Sequence, residues 1–588
     1  MNKRNFSNEL ILYLLAFLLA VGVRLINLGL IPLSDVEASW ALQALALVRG
    51  EEVLLGPQPG YVLPTAFLFF LFGTNAIMAR LWPVLAGSAL VWVPYLWRDR
   101  LGRVAGLILA FGLALDPGLV ALSRVAGSPL LAVAFTLFAL TALWSGSAIW
   151  TGIWGAWALL SGTAIWPGVI GLATTLGVAR ALGPVQVESP DVGTVAGVMS
   201  DRDLGEFIRK GLIAGGTTLL VVGTMLFFFP NGINAMVGSL PAYLRGWGTG
   251  GGEPASHLLM VLCDQSLAIV FGVVGAIVVW RERHALGRWL CLWWVVATGL
   301  ALAYPARDFG DLAWSLVPLW SLAGIGLARI FRRWRHSPVE WGLAALTLVL
   351  FAFGWLDLVS LGRTSPQIEM YRLRWIALGG VVVIQTLSFL LVSLGWSLAE
   401  ARRGFAFGFG VGLALLTVSA SFGASQLRSQ ASNPLWRSGD EIVQADLLLQ
   451  TLGELSKWRT GDREAVNVVV VDVDSPALRW VLRDFTNARF QSGLETGAAS
   501  EVIVLPKESG EPRQTAMYRG QDFAWRSVVI WNELWSTNIL RWLTQRELPT
   551  RTEALVLWVR GDLFPNGEIT VESETHQPVE EPLEEPVR

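Results

Sequence analysis

Long apolar runs, parted by short polar segments rich in arginine, fill this chain from Leu10 to about Ala424. A membrane-crossing helix needs roughly 20 apolar residues, fewer inside a bundle. The first such run extends from about Leu10 to Leu30. Later ones begin near Ile77, Leu101, Pro129, Thr151, Gly168, Gly211, Leu258, Arg288, Leu312, Glu340, Ile376 and Phe405. The pattern predicts a polytopic α-helical membrane protein with about 13 spans. Tyr61–Phe72 is apolar but short for a crossing, so it is expected to lie along or dip into the outer interface. The first outer loop is then long, Ile31 to Asn75, and carries two helices. The first of these starts at Asp35 and stops at Gly50.

Past Ser425 the pattern changes. Val-rich runs at Val466–Val473, Glu501–Leu505, Ser527–Trp531 and Ala554–Val559 alternate with helical stretches. That alternation predicts a small α/β domain with a mainly parallel sheet. The expected organisation is a transmembrane domain over 1–424, an α/β domain over 425–570 and an acidic, disordered tail over 571–588. Gly183–Phe207 is expected to be a polar surface loop, and Gly248–Gly252 a mobile outer loop.

Composition supports this division. Hydrophobic residues make up 53% of the 588, charged residues 15%, and mean hydropathy is +0.52. The net charge of −2 gives no basis for nucleic-acid binding. Basic clusters at Lys3-Arg4, Arg98–Arg103, Arg209-Lys210, Arg281–Arg283, Arg332–Arg335 and Arg402-Arg403 all fall on one face if the N-terminus is cytoplasmic. The expected location is an inner (plasma) membrane, with the N-terminus cytoplasmic and the α/β domain extracytoplasmic. The two cysteines, Cys263 and Cys291, sit in separate apolar segments and are not expected to pair. The four histidines have no metal-ligand spacing.

The candidate chemistry lies at the outer lip. Asp35 and Glu37 follow the first span. Ser34-Asp35-Val36-Glu37 fits a capping box, in which Glu37 satisfies backbone N–H groups. It also fits a general base (Asp35) supported by a second carboxylate, since a capped helix holds a base rigidly. The pair could hold a divalent cation against a diphosphate. Arg80, Arg124 and Arg307 are expected at the same face and would suit a phosphate group. Headgroup contact or a local ion pair, such as Arg307 with Asp308 or Asp311, would explain them equally. Asp116, before Pro117-Gly118, reads as a turn and is also the sole carboxylate of its loop. No P-loop, G-x-S-x-G, H-E-x-x-H or dinucleotide fingerprint occurs.

Arg24-Leu25, the stretch LIPLSDVEASWALQALALVRGE, then LFGTNAIMARLWPVLAG and ALDPGLVALSRVAGSPLLAVAF together resemble GT-C type membrane glycosyltransferases. The relevant branch is the protein O-mannosyltransferase and aminoarabinose transferase-like group, glycosyltransferase family 39. The tail motifs DSPALRWVLRD (Asp474–Asp484) and WVRGDL (Trp558–Leu563) bring it nearest to flippase activity-associated proteins of the archaeal glycosylation type. The resemblance implies transfer of a sugar from a polyprenyl-phosphate donor to a hydroxyl of a protein, lipid or glycan at the outer face. Asp35 and Glu37 would be the catalytic pair, and Arg80, Asp116, Arg124 and Arg307 the substrate contacts. The alternative is non-catalytic handling, flipping or scaffolding of lipid-linked sugars. The chain departs from the group at two places. Its acidic pair is split by Val36, and Ser128 stands where an acidic residue often follows the second-loop arginine.

Overall fold

The computed structural model describes residues 3–181, 201–332, 337–364, 369–428, 436, 439–493, 500–512, 516–531 and 539–564. The expected tail over 571–588 and most of the Gly183–Phe207 segment lie outside these residues; from Asp201 the chain is already helical, in Asp201–Gly223. Two compact units are present. One comprises 1–442, 476–480 and 527–551; the other comprises 443–475, 481–526 and 552–588.

The first unit is a helical bundle. Among the described residues, eight helices are long and apolar enough to cross a membrane, or nine if one bent pair is a single span. Four further apolar helices are shorter: Pro59–Phe72, Leu130–Trp144, Ala148–Leu160 and Ile165–Ala181. This is the polytopic membrane class that the apolar runs predict. The surfaces of several spans are apolar and outward-facing, as lipid contact requires.

Seven helices build the region around the acidic pair: α1 (Lys3–Leu25), α2 (Asp35–Arg49), α3 (Pro59–Phe72), α4 (Ala76–Ala89), α5 (Trp92–Leu101), α6 (Arg103–Leu115) and α7 (Pro117–Ser123). Helix α2 begins at a complete capping box. Ser34 Oγ accepts from Glu37 N at 3.3 Å, and Glu37 Oε2 accepts from Ser34 N at 3.1 Å. It ends at Gly50, whose φ of 72° is the left-handed conformation that glycine adopts without cost. Helix α3 has 14 residues. At 1.5 Å per residue that is about 21 Å, short of the roughly 30 Å hydrocarbon core.

Helices α6 and α7 meet at a bend of 52°. The cause is local. Pro117 lacks the N–H that would reach the carbonyl of Leu113, so the ladder breaks there. The break leaves buried carbonyls needing donors, and Arg24 of α1 supplies them. Its guanidinium donates to Leu113 O and Ala114 O, both at 2.9 Å, and to Ala20 O at 3.2 Å. Arg24 is 0% exposed. Without it, at least two acceptors lose their partner inside the bundle, at about 1–3 kcal/mol each. Arg24→Met is therefore expected to destabilise the protein by about 3 kcal/mol, read as a lowered unfolding midpoint in detergent, with Arg24→Lys recovering part of the loss. An unchanged midpoint would show that the bend does not depend on this side chain.

The second unit is α/β. Five of its strands are β1 (Val468–Val471), β2 (Arg489–Gln491), β3 (Val502–Pro506), β4 (Tyr518–Val529) and β5 (Thr550–Arg560), in the order β4-β5-β3-β1-β2. β1 is parallel to β2 and β3, while β3 and β5 pair antiparallel. The sheet is thus mixed, with the expected parallel pairing at β1 and an antiparallel one between β3 and β5. β1 and β3 are buried at nearly every position, which is why they read as unbroken apolar runs.

Candidate active site

Glu37 is buried at the first turn of α2 and faces Arg80 of α4. The two form a bidentate pair, Nε to Oε1 and Nη2 to Oε2, each at 2.7 Å. Their side chains are 4% and 3% exposed, so little solvent screens the pair. Glu37 Oε1 also accepts from Ala126 N at 2.9 Å, and Oε2 from Ser34 N at 3.1 Å. Four donors therefore converge on one carboxylate. A group so saturated cannot take a substrate proton or a cation without breaking bonds already made.

The arginines divide into two kinds. Arg80 spends its remaining donors on the carbonyls of Leu28 (3.0 Å), Ile31 (2.8 Å) and Pro32 (3.1 Å). Arg124 donates to Val23, Arg24, Ile26 and Asn27 carbonyls at 2.6–3.4 Å. These are the orphan carbonyls at the end of α1 and the turn after it, where a cation is also favoured by the helix dipole. Together Arg80 and Arg124 clamp residues 23–32 and so fix where Asp35 begins α2. Arg307 differs. Its Nη1 donates to Leu302 O at 3.3 Å and Tyr304 O at 3.1 Å, capping the helix Ala285–Ala303. Its Nε is buried and has no partner among the described residues. No ion pair joins it to Asp308 or Asp311 there. Those carboxylates instead form the capping box of the next turn, accepting from Phe309 N at 2.8 Å and Asp308 N at 3.0 Å.

Asp116 is fully buried and N-caps α7. Its Oδ1 accepts from Leu119 N at 2.7 Å and its Oδ2 from Trp320 Nε1 at 2.6 Å. Ser128 is likewise buried, with Oγ accepting from Leu130 N at 3.1 Å. Asp35 is half-buried. Its Oδ1 accepts from Ala477 N at 2.9 Å. Ala477 lies in the 476–480 segment of the same unit, and Trp480 packs on Phe69 of α3 with centroids 5.8 Å apart.

The loop from Arg124 to Pro129 links two parts of this face. Ala126 binds Glu37, and a Cβ on Gly310 would meet Pro129 Cγ at 2.6 Å, so Pro129 and the 308–312 turn are in close contact. Beside that turn, Tyr304 stacks on Tyr243 with centroids 4.7 Å apart and donates to Tyr243 O at 3.0 Å. Burial, then the Asp311 charge, pushes the Tyr304 phenol up to about 12, so it stays protonated near neutral pH. The 248–252 glycine stretch, expected to be mobile, is tied down at its end. Gly252 N donates to Pro305 O at 3.2 Å, and Glu253 N to Arg307 O at 2.9 Å. A Cβ on Gly252 would lie 2.4 Å from Arg307 N, so this approach requires glycine.

Among the described residues no group of three or more His, Cys, Asp or Glu side chains is placed to hold a metal ion. Both cysteines are unpaired, Cys263 exposed and Cys291 buried. The sequence pattern named Arg24 only as part of a family-like stretch, with no role, and did not single out the backbone amides of Ala126 and Ala477. An arginine inside an apolar span was the available signal for the first, because such a charge is costly in lipid unless it is used.

No protein-family model and no curated protein matches the sequence. Solved structures do match by shape. ArnT from Cupriavidus metallidurans bound to undecaprenyl phosphate aligns with TM-score 0.53 at 14% identity, over 96% of this chain and 99% of that one. The same protein in the apo state gives 0.52 and 15%, over 95% and 99%. The Archaeoglobus fulgidus oligosaccharyltransferase reaches TM-score 0.31 at 13% identity, over 82% and 62%, too low to carry an argument. This chain therefore has an ArnT-like fold over nearly its whole length.

Proposed function

We propose that this protein is an integral membrane glycosyltransferase that moves a sugar from a polyprenyl-phosphate donor to a hydroxyl acceptor. The observation that carries the reading is the contrast between the two carboxylates of the first loop. Glu37 is buried and saturated by four donors, while Asp35, two residues before it, is half-exposed on a helix that Glu37 holds in place. One carboxylate thus positions, and the other, half-exposed and accepting from Ala477 N, is assigned to the chemistry. The ArnT-like fold supports a lipid-linked donor, since the ArnT neighbour was solved with undecaprenyl phosphate bound.

In this reading Asp35 is the general base that takes the proton of the acceptor hydroxyl as the sugar's anomeric carbon bonds to that oxygen. The anomeric C–O bond to the donor phosphate breaks, and the lipid phosphate leaves with the bonding pair. Glu37, Arg80, Arg124 and Asp116 act as positioning residues. Arg307 carries the unpartnered Nε and is assigned to the donor phosphate. Arg307→Gln is expected to raise the donor KM by about ten- to a hundredfold, the worth of one or two charge-assisted hydrogen bonds. An unchanged KM would remove Arg307 from the donor site.

The test is a transfer assay. Purified protein is offered a panel of radiolabelled polyprenyl-phosphate sugars, with Asp35→Asn alongside. Turnover that disappears in the variant supports the reading. Specific donor binding without turnover would favour the second reading, a protein that handles or flips lipid-linked sugars. One observation favours that second reading: Asp35 Oδ1 is already engaged by the Ala477 amide.

A further inference from the structure

An apolar groove of about 390 Å³ lies between α1, α6 and three later helices, Ser266–Arg281, Ala313–Arg332 and Leu398–Ala424. Its walls include Leu12, Leu107, Phe331, Ala406, Val411 and Ala414. Trp320, the donor to Asp116, forms its deep end. Gly112 makes room for that indole, because a Cβ there would sit 2.3 Å from a Trp320 ring carbon.

The groove's walls reach, at Leu107, Phe331 and Ala406, toward the end of the bundle away from Asp35. Asn27, at the Asp35 end, donates to Gln426 O at 3.0 Å, so the helix Leu398–Ala424 has its C-terminus there and Arg402 at the opposite end. Likewise Gly310 packs on Pro129 at the Asp35 end, which leaves Arg332 at the other. Helix α6 runs from Arg103 to the bend at Asp116.

The end away from Asp35 is basic. Arg103 and Arg402 each lie four residues before a wall residue, Leu107 and Ala406, and therefore on the same helical stripe. Arg332 follows the wall residue Phe331. Neighbouring arginines are neutralised: Arg329 pairs with Glu282, and Arg403 with Glu340. Arg332 and Arg402 are exposed and have no ion-pair partner among the described residues. Arg103 is half-exposed, with Glu9 3.8 Å away. Three arginines therefore sit at one end of a groove whose walls are apolar apart from Thr417.

We propose that this groove binds an anionic glycerophospholipid, with an acyl chain along the α6 and Leu398–Ala424 walls and the phosphate on Arg103, Arg332 and Arg402. An apolar slot with a cationic lip matches that chemistry, and a membrane supplies it at high local concentration. The phosphate end of the site lies at the opposite end of the bundle from Asp35, and the proposal does not depend on the glycosyltransferase reading.

The test uses the purified full-length protein, delipidated in mild detergent and given equal amounts of phosphatidylglycerol and phosphatidylcholine. Bound lipid is read by native mass spectrometry. The native protein is expected to retain phosphatidylglycerol by about tenfold or more over phosphatidylcholine, and each arginine changed to glutamine should lower that preference roughly fivefold. Because the arginines are exposed, an Arg103→Gln, Arg332→Gln, Arg402→Gln triple variant should fold normally and lose the preference. Ala414→Trp, which fills the groove, should lose the bound lipid with the rim intact. Equal retention of both lipids, an unchanged preference in the triple variant, or full retention by Ala414→Trp would each overturn the proposal. So would displacement of phosphatidylglycerol by an equal concentration of undecaprenyl phosphate, which would give the groove to an isoprenoid chain.

Discussion

Asp35→Asn is expected to reduce sugar transfer by about 10²- to 10⁴-fold, the usual contribution of a positioned general base. The substitution is close to isosteric. Asparagine keeps an oxygen for the Ala477 amide, and Asn is also well tolerated near a helix start. Folding and donor binding should therefore change little, and the loss should fall on kcat. Donor KM measured beside kcat checks this. A variant that keeps its rate would show that Asp35 is not the base. A variant that loses rate and thermal stability together would indicate a structural role for the carboxylate. The same substitution in a protein that only handles lipid-linked sugars would leave donor binding and release untouched.

Breaking the Glu37–Arg80 pair is expected to cost about 3–5 kcal/mol of stability, because removal of one partner strands the other charge in a buried site. Glu37→Gln is the milder variant: glutamine can still complete the capping box through its oxygen, but its NH2 replaces an oxygen that accepts two of the four donors, so an acceptor is lost along with the charge. Arg80→Met removes the charge and also the donors to Leu28, Ile31 and Pro32, so its cost should be larger. The double variant should be less destabilised than the two singles added together, because neither buried charge is then left alone. Thermal or denaturant unfolding of the three variants tests this directly. Additive costs would mean that the pair is not coupled, despite two contacts of 2.7 Å. If Asp35 depends on this clamp, transfer should fall in Glu37→Gln as well, with stability and rate lost in step.

Much of the local structure was legible in the residues. The helix from Asp35 to Arg49 follows from Ser34 and Glu37 three apart and from Gly50 at its end. Capping is a contact between neighbours in the chain, so spacing alone predicts it. The apolar runs predict membrane helices for the same reason, and a bilayer demands that each helix satisfy its own backbone. The Val-rich runs at 468–471 and 502–506 became strands. Their pairing was less legible. An antiparallel partner, Thr550–Arg560, lies beside Val502–Pro506, and continuous apolar strands read alike in either direction.

Four basic and acidic side chains near α2 and the 304–312 turn show the limit more sharply. Arg80, Arg124 and Arg307 look alike in the sequence. Arg80 is committed to Glu37 and three carbonyls, Arg124 to the end of α1, and Arg307 in part to a helix end with its Nε left over. Asp116 had the look of a turn residue and is one, yet its second oxygen meets an indole 204 residues away.

The amino-acid order by itself determined that the chain is a polytopic helical membrane protein and where α2 starts and stops, because each follows from hydropathy or from hydrogen bonds within a turn. Only the tertiary structure decided that Glu37 is spent on Arg80 and Ala126 while Asp35 stays half-open, and that Arg24 repairs the break at Pro117. Those outcomes depend on which helix faces which, and at what height, over separations of 43 to 90 residues. No local pattern encodes that register.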